Sequence, residues 1–381
     1  MTARKLRAAV TAILLGTAAA GGAALMLAAP AQALTASPKV GPLLKEAVSL
    51  INAKNYSGAK SKLNEAEAAA STPDDHALIN QIKNAIAVSS ADPNTPGGAK
   101  AKFAQDYNAG KFKDVIADAE YLKKNNVFDA QSQLIVGQAY YKARDYAGCV
   151  KYTKSLGTGE TALALQARCA YEVGDDVSQR AALEQLVART GKPEYWVGLL
   201  KLGERARGLS DHNTLDLNRL RILTGAAATK DDYISASQFA LQFGFAAEAQ
   251  GIMEKGAKLL TDDRSQRLMA RAKADAAAQA ASEAKDLAAA RAAAQGDDLV
   301  KLGERMIGAG KAKDAVGVIQ EGLKKPLKDA NNGQLRLGQA QLAAGQKKDA
   351  MATFLKVKAL KDPKSEKDAM VANLWYLAAS H

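Results

Sequence analysis

An internal repeat of about 34 residues constrains the fold of this chain more than any other feature of its sequence. One helical slot, occupied mostly by small residues, recurs with gaps of 34, 30, 36, 34, 33, 33 and 35 residues. The residues at this slot are Phe103, Gly137, Ala167, Gly203, Ser237, Ala270, Gly303 and Gly338. Such regular self-similarity is typical of repeat proteins, in which each unit covers the apolar face of its neighbour.

The residues around Gly137 indicate what the slot does. Between Val136 and Val150, Gly137 lies inside a first helix, Arg144-Asp145 forms a turn, and Cys149 places a second small residue early in the next helix. Small residues at these points leave room for two antiparallel helices to approach. Only 5% of the chain is aromatic, and much of its 48% hydrophobic content is alanine, which favours helices. The sequence therefore predicts an all-α fold.

This pattern resembles the tetratricopeptide repeat (TPR). The frame returns at Leu302-Gly303, Gly310, Ala315 and Ile319, and again at Leu337-Gly338, Gly345, Ala350 and Phe354. The resemblance implies a right-handed α-solenoid of antiparallel helix pairs with a TPR-like superhelical course. A generic amphipathic helical bundle is the alternative, because helices of about 12 residues also produce short-range periodicity.

The chain is predicted to divide into four regions. Residues 1–33 form a signal peptide, 34–96 a helical region with one repeat and an extra helix, 97–363 the repeat array, and 364–381 a C-terminal capping helix. Thr72-Pro73 begins the extra helix, and Asp362-Pro363 ends the array. Within the array, residues 264–295 contain neither Gly nor Pro, so they form either one long helix or a degenerate repeat.

The N-terminus has the features of an export signal. Arg4, Lys5 and Arg7 precede an uncharged apolar run over 8–29, and Ala31-Gln32-Ala33 is a small-x-small cleavage site. We therefore expect an exported, periplasmic protein cleaved after Ala33. The alternative is an uncleaved anchor in the inner membrane, because the run approaches the roughly 20 residues that span a bilayer. No second long apolar segment follows, so no membrane span is expected in the mature chain.

Residues that carry chemistry are scarce. The three histidines, His76, His212 and His381, have no partner at a spacing suited to a metal. The glycines at 308 and 310 before Lys311 suggest a phosphate loop, but Ala312 replaces the required Ser or Thr, so an inter-helix turn explains them better. We predict no enzymatic activity, no cofactor, no metal and no nucleic-acid partner.

Cys149 and Cys169 are the only two cysteines. They fall in adjacent predicted helices, and an exported protein lies in a compartment where disulfides persist. A disulfide between them is one interpretation. The other is that each is a small core residue, as unpaired cysteine often is.

In TPR proteins, the first helix of each pair lines an inner concave face. Carried over to this sequence, the resemblance implies a partner-binding surface formed by Leu134, Gln138, Tyr141, Leu200, Glu204, Ile234, Gln238, Leu335 and Gln339. Apolar residues alternate there with amide or acid groups, a composition suited to an extended or helical peptide. The Lys/Asn clamp by which some relatives hold a C-terminal carboxylate is not evident, so that ligand is not predicted.

The net charge of +12 is partly concentrated near the C-terminus. Between Lys324 and Lys367, eleven basic residues stand against four acidic ones. The basic residues are Lys324, Lys325, Lys328, Arg336, Lys347, Lys348, Lys356, Lys358, Lys361, Lys364 and Lys367. A cluster of one sign attracts oppositely charged partners, so these repeats predict docking of an acidic protein or polymer. The alternative is a solvated helix face.

Together these features predict a non-enzymatic, protein-binding scaffold of the bacterial cell envelope. Two other functions remain open. One is an exported adaptor for anionic envelope polysaccharide, suggested by the basic charge. The other is a glycan-processing enzyme, which needs two carboxylates fixed about 5 to 10 Å apart in a cleft; the sequence reveals no such pair.

Overall fold

The computed structural model describes residues 34–90, 95–360 and 365–381. The described residues are 78% helical and contain no β-strand. That part of the chain contains nineteen α-helices, and within each of two compact units consecutive helices pack against each other, which confirms the predicted all-α solenoid. The predicted signal peptide, residues 1–33, and the predicted break at Asp362-Pro363 lie outside the described residues.

Unit 1, the first of two compact units, ends at Asp145, inside the array predicted for residues 97–363. Its helices are α1 (Val40–Asn52), α2 (Tyr56–Ala69), α3 (Pro73–Ser90), α4 (Pro96–Asn108), α5 (Phe112–Lys124) and α6 (Ala130–Lys142). The predicted extra helix is α3, and Thr72 caps it: the Asp75 amide donates to Thr72 Oγ1 at 3.1 Å. Leu44, Leu63 and Ile82 belong to an aliphatic core between α1, α2 and α3.

Unit 2 runs from Tyr146 to His381. It begins with α7 (Tyr146–Thr153), followed by a 3₁₀ turn (Lys154–Leu156), α8 (Glu160–Val173), α9 (Asp176–Thr190), α10 (Pro193–Glu204), α11 (Asp211–Leu223), α12 (Lys230–Gln242) and α13 (Ala246–Lys255). It continues with α14 (Asp263–Ala292), α15 (Asp297–Gly308), α16 (Ala312–Leu323), α17 (Ala330–Ala343), α18 (Lys347–Lys358) and α19 (Glu366–Ala379). The last helix is the predicted C-terminal helix.

The repeat slot marks points of close helix contact, as predicted, at most positions. A β-carbon at Gly338 would lie 2.5 Å from Phe354 Cε1 on α18, and one at Gly303 would collide with Ile319 on α16. The assignment of Ala270 to the slot is wrong. Ala270 is exposed, whereas Ala272 is fully buried. Because α14 is one uninterrupted helix, no turn fixes the position of the slot at residue 270.

The alanine-rich segment 264–295 forms one long helix rather than a degenerate repeat. Helix α14 has 30 residues, and the Asp262 side chain caps its first turn by accepting from the Ser265 amide. Alanine has the highest helix propensity, and no Gly or Pro interrupts the run. Most of α14 is exposed, and its contacts lie along α13 and α15.

Helix α19 does more than cap the last repeat, because it also packs against helices from the first half of unit 2. It packs against α17 and α18 and also against α9 and α11. Asn213 Nδ2 on α11 donates to Asp368 Oδ1 at 3.0 Å, and Asn373 Nδ2 donates to Glu184 Oε1 on α9 at 2.9 Å. These contacts join residues 155 and 189 positions apart, so unit 2 is closed by long-range packing.

Candidate functional site

Unit 2 contains an open cavity of about 770 Å³. Its walls come from α10, α11, α13, α15, α17 and α19 and are largely apolar. The apolar wall residues include Trp196, Ile222, Ile252, Ile307, Leu342 and Trp375. An apolar cavity of about 300 to 1,000 Å³ with a few fixed polar groups is typical of ligand-binding sites. We therefore treat this cavity as the candidate site.

The closure of unit 2 by α19 builds this cavity. Trp375 on α19 and Trp196 on α10 both border the cavity. The Trp375 ring stacks on Phe354, with 6.0 Å between the ring centroids. His381, just beyond α19, also borders the cavity, and its Nε2 lies 2.6 Å from the carbonyl oxygen of Val187. Trp196 and Trp375 are the only two tryptophans of the chain, and both border the cavity.

The floor of the cavity is a buried ionic network. Arg336 on α17 forms a bidentate ion pair with Asp216 on α11: Nη1 donates to Oδ1 at 2.7 Å, and Nη2 donates to Oδ2. Arg336 Nη1 also donates to Glu304 Oε1 at 2.8 Å. Arg336 and Asp216 are both fully buried. Gln339 Nε2 adds a further hydrogen bond to Asp216 Oδ1 at 2.7 Å.

Arg219 connects this pair to the cavity. Its Nε and Nη2 each donate to one oxygen of Glu248 at 2.6 Å, and its Nη1 donates to Glu304 Oε1 at 2.5 Å. The guanidinium also lies over the ring of Phe245, 5.3 Å from its centroid. Arg219, Glu248, Glu304 and Gln339 all border the cavity. A planar guanidinium suits this bidentate pairing with carboxylate.

The network stays ionised because its members compensate one another. Burial alone would raise the pKa of Glu304, but the guanidinium groups of Arg336 and Arg219 hold that pKa well below its usual range. Burial would likewise lower the pKa of Arg336, whereas Asp216 and Glu304 raise it. A carboxylate held in this way is a structural anion rather than a general acid poised to give up a proton.

The network separates this cavity from a second one of about 560 Å³ at the N-terminal ends of α11, α15 and α17. Glu304 borders both cavities. On the second side, His212 Nε2 lies 3.2 Å from Glu304 Oε2, and the His212 ring packs on Phe243 at 4.3 Å between centroids. The inner side of unit 2 is therefore divided by fixed charges.

The predicted partner-binding residues of unit 2 fall into three environments. Leu200 and Leu335 are fully buried and Ile234 nearly so; these three are core residues, because neighbouring helices cover the face that the prediction left open. Glu204 and Gln238 are exposed, and Glu204 accepts a hydrogen bond from Arg221. Gln339 is the predicted residue that borders the cavity.

The three predicted residues of unit 1 lie together on α6. Leu134, Gln138 and Tyr141 are all half-buried. Gln138 Oε1 accepts a hydrogen bond from the Tyr107 hydroxyl at 2.8 Å. A partner-binding role for these residues remains a prediction.

The basic C-terminal cluster is smaller than the sequence indicated. Arg336 is wrongly assigned to it, because that residue is buried in the ionic network. Lys325 Nζ donates to the carbonyl oxygens of Arg291 and Ala293 at the end of α14. The lysines that are exposed on α18 are Lys347, Lys348, Lys356 and Lys358. Lys361 and Lys364 lie outside the described residues.

Cys149 and Cys169 form a disulfide that joins α7 to α8. Their Cα atoms are 5.9 Å apart, within the range that a disulfide requires, and both side chains are fully buried. The structure therefore supports the disulfide interpretation of these two cysteines.

Sequence reasoning missed most of the floor of the cavity. Asp216, Arg219, Glu248 and Glu304 looked like ordinary charged residues on helix faces. The sequence contained a signal for the burial of Arg336, because the residues on either side of it, Leu335 and Leu337, are apolar. Trp375 lies in the segment 364–381, for which the sequence predicts only a capping helix.

Neither a protein-family model nor a curated protein matches this chain. Among the described residues, no group of three or more His, Cys, Asp and Glu side chains is arranged to hold a metal ion. Within the same part of the chain, no helix combines the length and apolar character needed to cross a membrane.

Proposed function

We propose that this chain is an exported TPR-like scaffold of the cell envelope that binds a polypeptide partner in the cavity of unit 2 and catalyses no reaction. The cavity itself is the observation that carries the proposal: a space of about 770 Å³ with two tryptophans and several aliphatic residues in its walls. Aromatic anchors in a desolvated pocket commonly provide most of the binding energy at protein interfaces.

The polar groups of the cavity favour binding over catalysis. Each oxygen of Glu248 accepts from Arg219, and Glu304 accepts from Arg219 and Arg336. Carboxylates locked in ion pairs are poor general acids or nucleophiles, in contrast to the pair that a glycan hydrolase uses. They are well suited to act as a rigid floor against which a ligand packs.

A cavity-filling substitution tests the proposal. Gly251 lies inside α13 and borders the cavity, and a β-carbon there would meet no atom within 4 Å. A glycine inside a helix lowers the stability of that helix by about 1 kcal/mol relative to alanine. A larger side chain at this position should therefore fill the cavity without destabilising α13. Gly317 on α16 is a matched control, because it is also a helical glycine facing open space but does not border the cavity.

The measurement is binding of peptides selected from a random display library against the full chain. We expect selected peptides to bind the parent and Gly317→Phe equally and to lose at least about tenfold in affinity for Gly251→Phe. Peptides that bind both variants alike would show that the cavity is not the binding site. Export is tested separately: N-terminal sequencing of the envelope protein should begin at Leu34.

A second candidate function is supported by the exposed lysines of α18. Lys347, Lys348, Lys356 and Lys358 form a basic face that could dock an acidic protein or an anionic polysaccharide. Reversing these four charges should slow association with an anionic polymer such as polyglutamate and flatten its salt dependence, while the melting curve stays nearly unchanged. Unchanged association would identify the lysines as a solvated face.

A further inference from the structure

The charged groups on the floor of the cavity are already paired with one another. Arg219 donates through Nε and Nη2 to the two oxygens of Glu248, and through Nη1 to Glu304 Oε1. The other oxygen of Glu304 lies 3.2 Å from His212 Nε2. The side chains of Arg219, Glu248 and Glu304 are all largely buried. Within the part of the chain that the structure describes, a ligand ion therefore finds no charged group on the floor that is free to pair with it.

The other polar groups near the cavity offer a ligand ion little more. Lys255 is exposed, so its ammonium group stays in water. The His381 ring contacts the carbonyl oxygen of Val187. Trp375 Nε1 and Arg336 Nε have no hydrogen-bond partner among the described residues, but both atoms are buried. Neither donor is therefore open to a ligand anion.

Transfer from water into this cavity has opposite effects on charged and apolar groups. An ion that enters a largely apolar space loses its hydration, and without a free counter-ion that loss is not compensated. An apolar side chain is stabilised by the same transfer, and the rings of Trp196 and Trp375 provide large surfaces for it to pack against. The cavity should therefore discriminate against charge of either sign.

We infer that the cavity accepts uncharged apolar side chains of a partner polypeptide, such as leucine, methionine or phenylalanine, and excludes charged side chains of either sign. The charged residues of the partner stay outside the mouth of the cavity, in water. The inference rests on the proposed function and specifies which residues of the partner enter the cavity.

The test uses three compact probes that carry the same saturated ring: cyclohexylmethanol, cyclohexylmethylammonium and cyclohexanecarboxylate. The polar group is so close to the ring that burial of the ring draws it into the cavity. The emission of Trp196 and Trp375 reports entry into the full chain, because the sequence contains no other tryptophan. We expect the alcohol to bind at least about tenfold more tightly than either ion at about pH 8. Gly251→Phe should abolish binding of the alcohol, and Gly317→Phe should leave it unchanged.

A comparison at two pH values tests whether the charge of His212 matters. The alcohol and the ammonium probe are compared at about pH 5.5 and about pH 8, on either side of the ordinary histidine pKa of about 6.5. The alcohol should bind more tightly at both, because Arg219 pairs with Glu248 and Glu304 whether or not His212 is protonated. Tighter binding of the ammonium probe at either pH would overturn the inference.

Peptides provide a second readout. In a selected peptide whose affinity falls in Gly251→Phe, each anchoring apolar residue is replaced by norleucine and by lysine, which adds a terminal ammonium group to the same straight chain. We expect norleucine to retain the affinity and lysine to lose at least about tenfold. If lysine bound as well as norleucine, or if an ion probe matched the alcohol, the inference would be wrong and the proposed function would stand. Peptides that ignore Gly251→Phe would instead defeat the proposed function.

Discussion

Units 1 and 2 are built from the same kind of helix pair but use their charges differently. In unit 1, Lys62 pairs with Glu46 and Glu65 on the protein surface, and these partners lie close in the sequence. In unit 2, Arg336 pairs with Asp216, 120 residues away, where both side chains have no exposed surface. The core of unit 1 between α1 and α3 is aliphatic, whereas unit 2 buries Trp196, Phe354 and Trp375.

The contrast teaches that the same repeat can support two kinds of interior. In unit 1, packing follows mainly from the local pattern, and the buried carboxylate of Asp106 pairs with Lys102 and Lys111 from the same helix pair. In unit 2, where α19 packs against the distant helices α9 and α11, the inner face becomes an interior, and any charged residue already there must find a partner. The cavity of unit 2 is a product of that closure.

The largest effect should follow from removing Arg336. Arg336→Met leaves Asp216 and Glu304 buried without their main counter-charge, and breaking a buried pair in this way costs about 3–5 kcal/mol. Urea unfolding followed by tryptophan emission measures it, because both tryptophans lie in unit 2. Lys62→Met in unit 1, followed by circular dichroism, should change stability far less. Equal losses of stability in Arg336→Met and Lys62→Met would contradict the distinction between the two units.

A second prediction concerns the disulfide, for which unit 1 has no counterpart. The bridge spans 20 residues, and closing a loop of about this length stabilises a fold by about 3 kcal/mol. Replacing both Cys149 and Cys169 with alanine should lower the stability of unit 2 by about this amount. Mass spectrometry of the non-reduced exported protein provides the control, and detection of two free thiols would contradict the bridge.

A smaller effect is expected at the repeat slot. Gly338→Leu forces a side chain against the Phe354 ring, and overpacking of this kind costs about 1–3 kcal/mol. Gly317→Leu adds the same atoms where no neighbour lies within 4 Å and should not destabilise the protein. Identical melting of the two variants would mean that the slot does not set the helix spacing.

The smallest effect concerns pH and has opposite signs at Glu184 in unit 2 and Asp106 in unit 1. Burial raises the pKa of Glu184 in unit 2, so above about pH 4.3 the unfolded chain ionises this group first and stability falls as pH rises towards the folded pKa. Glu184→Gln should remove that decline. In unit 1, burial would raise the pKa of Asp106, but Lys102 and Lys111 lower it, so its contribution is lost as pH falls.

Urea midpoints measured across pH 3 to 7 check this prediction. The Glu184→Gln variant should gain stability relative to the parent as pH rises, and Asp106→Asn should lose it. Parallel pH profiles for parent and Glu184→Gln would contradict the effect of burial on the Glu184 carboxyl.

Much of the fold could be predicted because it depends on local pattern. Thr72 caps α3, and the glycine slots at 303 and 338 meet the paired helix. Each of these features follows from neighbouring residues or from one helix pair. Of the candidate site, the sequence supplied only Gln339, because that prediction assumed an open inner face.

The repeated pentapeptide Lys-Leu-Gly-Glu-Arg separates what the sequence determined from what the tertiary structure decided. Both copies, at 201–205 and 301–305, are largely helical, and both place glycine against a partner helix, as their identical sequences require. Yet Glu204 is exposed and pairs with Arg221, whereas Glu304 is buried between Arg219 and Arg336. Helix formation is local, but burial depends on which helices approach: α11 and α17 together enclose Glu304, whereas Glu204 contacts α11 through Arg221 and stays exposed.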